Sequence, residues 1–105
     1  MNKLSNKFRH YQIRANNIAK KEEQLLSLAY NSVRKRTANA ILSIYAQQSN
    51  EEEISILRED LARMVGTAKE SVIRILTEFK NDNWIDIKNG NIIILDKNSI
   101  ENVPG

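Results

Sequence analysis

Cysteine is missing from this 105-residue sequence, and proline, glycine and histidine are scarce, at one, three and one residues. Without cysteine there are no disulfides, no zinc–thiolate sites and no thiol catalysis. The only histidine, His10, lies among Arg and Lys and reads as a solvated surface residue, neither a metal ligand nor a base. No histidine cluster, glycine-rich phosphate loop or carboxylate pair with a clear base suggests catalysis, so the chain is expected to be no enzyme and to need no cofactor of its own. No apolar run reaches the length of a membrane span, and the N-terminus lacks the apolar core of a signal peptide. A cytoplasmic location fits these absences.

What is present suits one folded domain. Hydrophobic residues make up 41% and charged residues 28% of the chain, enough for a modest core plus an extended helix. The net charge of +3 is unevenly divided: residues 1–50 carry nine Lys/Arg against two acids, and residues 51–105 carry seven against eleven. A basic first half could lie along phosphates, but an acidic second half argues against a uniformly basic glove.

Leu57–Lys80 organises the chain. Leu57, Leu61, Ala62 and Val65 recur at helical spacing, and so do Val72, Ile75, Leu76 and Phe79. Gly66 stands between the two runs, where the chain must turn sharply and only glycine takes positive φ without a steric penalty. Two short helices hinged this way form a helix-turn-helix, whose second helix can enter a DNA major groove. With the second apolar set facing inward, Glu70, Ile73, Arg74 and Thr77 face outward, with Lys69 at the edge of that face. An arginine fork fits guanine O6 and N7, and a carboxylate can accept from cytosine N4. Taken alone, Glu70 and Arg74 at i,i+4 read first as a solvated ion pair, and the surrounding motif is what turns them toward bases.

Around this motif the elements follow in order. Residues 3–28 are helical in character, with Leu4, Phe8, Tyr11, Ala15, Ile18, Glu22, Leu25 and Ala29 on a 3.5-residue seam. The seam suits a coiled coil with a partner helix, or an amphipathic helix folded back on its own domain. Tyr30-Asn31-Ser32 reads as a break, with Ser32 capping a new helix from about Val33 to Ala46. Val33, Thr37, Ala40, Ile41, Ile44 and Tyr45 would supply one wall of the core. The Arg34-Lys35-Arg36 run is either a phosphate contact or a solvated face. Gln47–Glu53 is a polar loop whose glutamates should point away from DNA, and Ile54-Ser55-Ile56 alternates as a short strand. Trp84–Ile87 and Ile92–Leu95 read as strands joined at Asn89-Gly90, a two-residue hairpin signal, and a hairpin here is a wing. Trp84 is a base-stacking platform or a core anchor. A single helical turn is expected around Ser99–Val103.

Residues 58–80, Arg-Glu-Asp-Leu-Ala-x-x-Val-Gly-Thr-Ala-x-Glu-Ser-Val-x-Arg-x-Leu-x-x-Phe-Lys, closely resemble the helix-turn-helix of the Crp-Fnr transcription regulators. The resemblance continues through Leu25–Leu42 and Ile92–Asp96, and so covers most of the chain. It implies a mainly α fold with a small β-hairpin: a winged helix-turn-helix at residues 31–105 behind a dimerisation helix at residues 1–30. It implies a homodimer that binds palindromic double-stranded DNA through a recognition helix at about 68–80, with RNA polymerase as a further partner. Lys69, Glu70, Ile73 and Arg74 match the base-contacting positions. Ser32, Arg34, Lys35, Arg58, Thr67 and Ser71 match positions at the phosphates. Three departures are visible. Leu57 stands where the family has a Ser or Thr cap, Lys69 where it commonly has Arg, and Ile73 where it has a small residue. Lysine lacks the bidentate fork, and Ile73 favours an apolar contact such as a thymine methyl.

Family members usually carry a sensor ahead of this domain, most often a cyclic-nucleotide-type β-barrel, and nothing in this sequence could form that barrel. The sequence therefore fits an excised C-terminal domain, a regulator without a sensor, or one preceded by another input such as a receiver. A winged-helix module that binds protein instead of DNA is the alternative, and the acidic second half is its best support.

Overall fold

A computed structural model describes the backbone of residues 3–48 and 53–105 and the side chains of residues 21–48 and 53–105. In chain order the elements are α1 (Lys3–Gln47), β1 (Glu53–Ile54), α2 (Arg58–Val65), α3 (Lys69–Asn81), β2 (Ile85–Lys88), β3 (Asn91–Ile94) and α4 (Lys97–Glu101).

Helix α1 runs unbroken for 45 residues, so the break expected at Tyr30-Asn31-Ser32 does not occur. No glycine or proline interrupts residues 3–47, and Asn and Ser each cost a helix only about 0.5 kcal/mol. Ser32 does not cap a new helix. Its hydroxyl accepts from Arg36 one turn further on, at 2.8 Å. Val33, Ile44 and Tyr45 pack against the core, Thr37, Ala40 and Ile41 are buried, and Ala38 joins them. Thr37 is tolerated there because its hydroxyl donates to Val33 O at 2.8 Å. The side chains of the seam residues Leu4, Phe8, Tyr11, Ala15 and Ile18, and of His10, lie outside the described residues. Further along, Leu25, Leu26 and Leu28 are exposed.

The sheet has three strands in the order β1-β3-β2, both pairings antiparallel. The hairpin β2–β3 pairs Ile85 with Ile94 and Lys88 with Asn91. Its turn holds Asn89 at φ 53° and Gly90 at φ 81°, the double positive φ of a two-residue turn whose twist suits a hairpin. The strand expected at Ile54–Ile56 is shorter and shifted: β1 is Glu53–Ile54, with Ile54 facing Ile92 and both buried. Residues 49–52 lie outside the described set, which leaves Glu51 and Glu52 of the acidic loop without a placement.

Phe79, Ile41, Ile54, Leu61, Ile75, Ile85, Ile92, Ile100 and Val72 form the centre of one core. Trp84 is not on a strand. It precedes β2 and tilts against Phe79 with ring centroids 5.2 Å apart, which makes it a core anchor and not a stacking platform. Asn83 takes φ 62° just after α3, a conformation asparagine tolerates. Trp84 N–H then donates back to Phe79 O at 2.9 Å, while Leu95 and Asp96 N–H both donate to Trp84 O. The terminal turn starts earlier than expected, at Lys97, because Asp96 caps it by accepting from the Ser99 N–H and hydroxyl.

Gly66 closes α2 at φ 82° with open space where a Cβ would stand. Gly66→Ala is therefore expected to cost only the left-handed backbone penalty, about 1–2 kcal/mol, and Gly66→Asn less. Urea denaturation of the three proteins checks this; equal stabilities would contradict the left-handed turn.

Candidate nucleic-acid interface

Both helices of the motif are fixed by their apolar faces. Leu61, Ala62 and Val65 of α2 are buried, as are Val72, Ile75, Leu76 and Phe79 of α3. Leu57 departs from its expected place on the first face. It precedes α2 in extended conformation, makes no side-chain cap and is 68% exposed. At the other end of α2, the N–H groups of Gly66 and Thr67 both donate to Ala62 O, at 2.8 and 3.1 Å. From α1, Arg36 Nε donates to Val65 O at 2.9 Å. A cation on carbonyls at a helix C-terminus also complements the helix dipole. Arg36 thereby ties the long helix to the turn of the motif.

Burying one face of α3 turns the other outward. Lys69, Glu70, Ile73, Arg74 and Thr77 are all exposed, with Ser71 half-buried at the start of the helix. Thr77 hydroxyl bonds back to Ile73 O at 2.9 Å. Among the described residues the ion pairs are Arg34–Glu78, Arg63–Asp60, Lys69–Glu59 and Lys97–Glu101. Glu70 and Arg74 therefore do not neutralise one another. An acceptor and a forked donor one helical turn apart stand on the same solvent-facing surface.

The model of the Crp-like helix-turn-helix domain matches residues 35–103. The chain belongs to this family. Crp-like helix-turn-helix proteins are DNA-binding transcription regulators, and the match spans α2, the Gly66 turn, α3 and the wing. The fold is also similar to a solved structure of the Thermus thermophilus catabolite activator protein, with a TM-score of 0.77 at 22% identity. That similarity covers 87% of this chain but only 42% of the activator. No curated protein gives a significant sequence match.

The expected phosphate residues of this Crp-like domain fall in two places. Arg58, Thr67 and Ser71 gather around the motif: Arg58 begins α2, Thr67 lies in the turn and Ser71 in the first turn of α3. Arg58 also clasps the wing, donating to Gly90 O at 2.9 Å and to Ile56 O at 3.2 Å. Ser32, Arg34 and Lys35 lie on α1, and each has a partner inside the chain. Ser32 accepts from Arg36, and Lys35 Nζ donates to Glu101 O at 3.0 Å. Arg34 is largely covered, with its Nε 3.6 Å from Glu78 Oε1 and its guanidinium carbon 5.5 Å from the Phe79 ring centroid and 6.0 Å from that of Trp84.

The Arg34 contacts belong to a junction that the sequence did not reveal. Tyr30 hydroxyl donates to Glu78 Oε2, so Glu78, near the end of α3, receives both a phenol and a guanidinium from α1. Arg34 Nε is buried without a hydrogen bond, its charge answered by Glu78 and by two aromatic faces. Burial first, and then the Glu78 hydrogen bond and charge, push the Tyr30 phenol up from 10.0 to about 12, against a smaller opposing pull from Arg34 and Arg74. Tyr30 and Arg34 stand one turn apart on α1, but Glu78 lies far along the chain on α3, and no local pattern predicts how the two helices cross.

Because this pKa is raised on folding, the stability it contributes is whole below pH 10 and is lost as pH rises through about 12. A spectroscopic titration of tyrosinate should show one late step near pH 12 that Tyr30→Phe abolishes. A wild-type titration with no step so late would contradict the junction.

Proposed function

We propose that this domain binds double-stranded DNA sequence-specifically as a homodimeric transcription regulator, with the recognition helix, residues 68–80, in the major groove. One observation supports the reading: α3 buries one face completely and leaves Lys69, Glu70, Ile73, Arg74 and Thr77 on the other, with Glu70 and Arg74 in no ion pair among the described residues. Arg74 suits a guanine, Glu70 a cytosine amino group and Ile73 a thymine methyl. The N-terminal part of a recognition helix is the part that reaches base edges, and these residues are there. Arg58, Thr67 and Ser71 are the phosphate contacts best supported by position, beside α3 and the wing. Ser32, Arg34 and Lys35, like Arg58 with its two carbonyl partners, reach phosphate only by leaving, or sharing, the partners they have within the chain.

The dimer reading assigns residues 1–30 to an inter-subunit helix and residues 31–105 to the winged helix-turn-helix. It is supported by the apolar side chains Leu25, Leu26 and Leu28, which are exposed on α1. Two copies of α3 would then read a palindrome with half-sites about one helical turn apart. Such a regulator works in the cytoplasm, with RNA polymerase as its further partner. Among the described residues no helix is long and apolar enough to cross a membrane.

Selection of bound duplexes from a random library, followed by binding measurements on the enriched site, tests this. An enriched inverted repeat is expected. Arg74→Ala should lose about 1–3 kcal/mol of discrimination at one base pair in each half-site, while Arg58→Ala should weaken all duplexes about equally. Salt-sensitive binding without enrichment would contradict the sequence-specific reading. Absence of binding at low salt would shift the assignment to a protein-interaction module.

A further inference from the structure

Glu59 lies in the first turn of α2, and across the Gly66 turn its Oε2 accepts from Lys69 Nζ at 3.2 Å. Both side chains remain open to solvent, Lys69 at 45% and Glu59 at 58%. Other acids near the motif are differently engaged: Asp60 holds Arg63, Glu78 holds Arg34, and Glu70 faces outward unpaired. Among the described residues, Glu59 is the acid that reaches from the first motif helix to the leading edge of the recognition face.

We infer that Glu59 is a positioning residue for Lys69, pinning its ammonium at the start of α3 and so fixing which base edge the lysine can donate to. The inference rests on the reading that the outward face of α3 meets bases. An arginine carries its own rigid fork, whereas lysine is a point charge on a flexible stem with three equivalent donors. One donor occupied by a carboxylate from α2 leaves two for a base edge, and the pair together becomes a directional donor. The carboxylate is itself well suited to the role. Its own backbone N–H at the start of α2, then Lys69 and Arg63, hold it below the usual carboxylate range, so it stays charged at neutral pH.

Positioning has a signature that a merely solvated ion pair lacks. With α3 in the groove, Glu59 would bring a negative charge close to the DNA backbone, so removing it should strengthen binding to every duplex, most at low salt. The same change frees Lys69 and should flatten preference at the base pair it reads. Affinity and specificity then move in opposite directions.

The experiment uses the full chain with Glu59→Ala, Glu59→Gln and Lys69→Ala. Binding is measured on the duplex enriched from a random library and on its single-base-pair variants, with a non-specific duplex at two salt concentrations. Glu59→Ala should bind the non-specific duplex about twofold more tightly at low salt. It should lose about fivefold discrimination at the same base pair that Lys69→Ala flattens, the lower end of what one base contact gives. Glu59→Gln keeps an acceptor oxygen and should retain part of that discrimination. In the Lys69→Ala background, Glu59→Ala should change discrimination no further. A uniform gain across all base pairs would overturn the positioning role while leaving the DNA reading intact. Failure of the unsubstituted chain to bind any duplex would overturn the DNA reading and this inference together.

Discussion

Burial of one stripe of α3 is the constraint on which the rest of this structure depends. Val72, Ile75, Leu76 and Phe79 are all buried, and each such side chain contributes about 1.5–3 kcal/mol when fully removed from water. Exposed ion pairs such as Arg63–Asp60 and Lys69–Glu59 are screened by solvent and contribute much less. The stripe therefore decides how α3 is rotated, and the charges adapt to it. The helical period then leaves no freedom over which residues face solvent. What α3 presents on its open side is a consequence of what it hides.

The other elements serve that rotation. Gly66 lets α2 and α3 meet at a tight angle, and Arg36 from α1 answers a carbonyl at the end of α2. At the far end of α3, Glu78 takes Tyr30 and Arg34 from the same long helix. The motif is thus fastened to α1 at two points, one near each end of the outward face. The wing is fastened too, through Arg58 to Gly90 O and through Trp84 to Phe79. Four acids of the second half, Glu59, Asp60, Glu78 and Glu101, each lie beside a cation of the same chain.

The parts legible in the sequence are those governed by local rules. Periodicity identified both faces of α3, positive φ identified the Gly66 and Asn89-Gly90 turns, and the quoted motif pointed to the Crp-like family. What was illegible depends on contacts between distant residues. Asn31-Ser32 looked like a helix start, but with no glycine or proline nearby the helix continues through it at little cost. Leu57 fitted the spacing of the α2 face, yet it precedes the first helical residue and points into solvent. The Tyr30–Arg34–Glu78 junction and the Glu59–Lys69 pair cross between helices, and no spacing along one helix could show them. Of the basic run on α1, only the structure shows that Arg34 turns inward while Arg36 reaches the motif.

Sequence-specific recognition by this domain requires the open face of α3 to meet base edges in the major groove. Methylation protection on an enriched duplex tests this directly, because guanine N7 is exposed in the major groove and adenine N3 in the minor groove. Protection of guanine N7 is expected at the half-site positions, lost at one of them in Arg74→Ala. Tight binding that leaves guanine N7 fully reactive while shielding adenine N3 would contradict it.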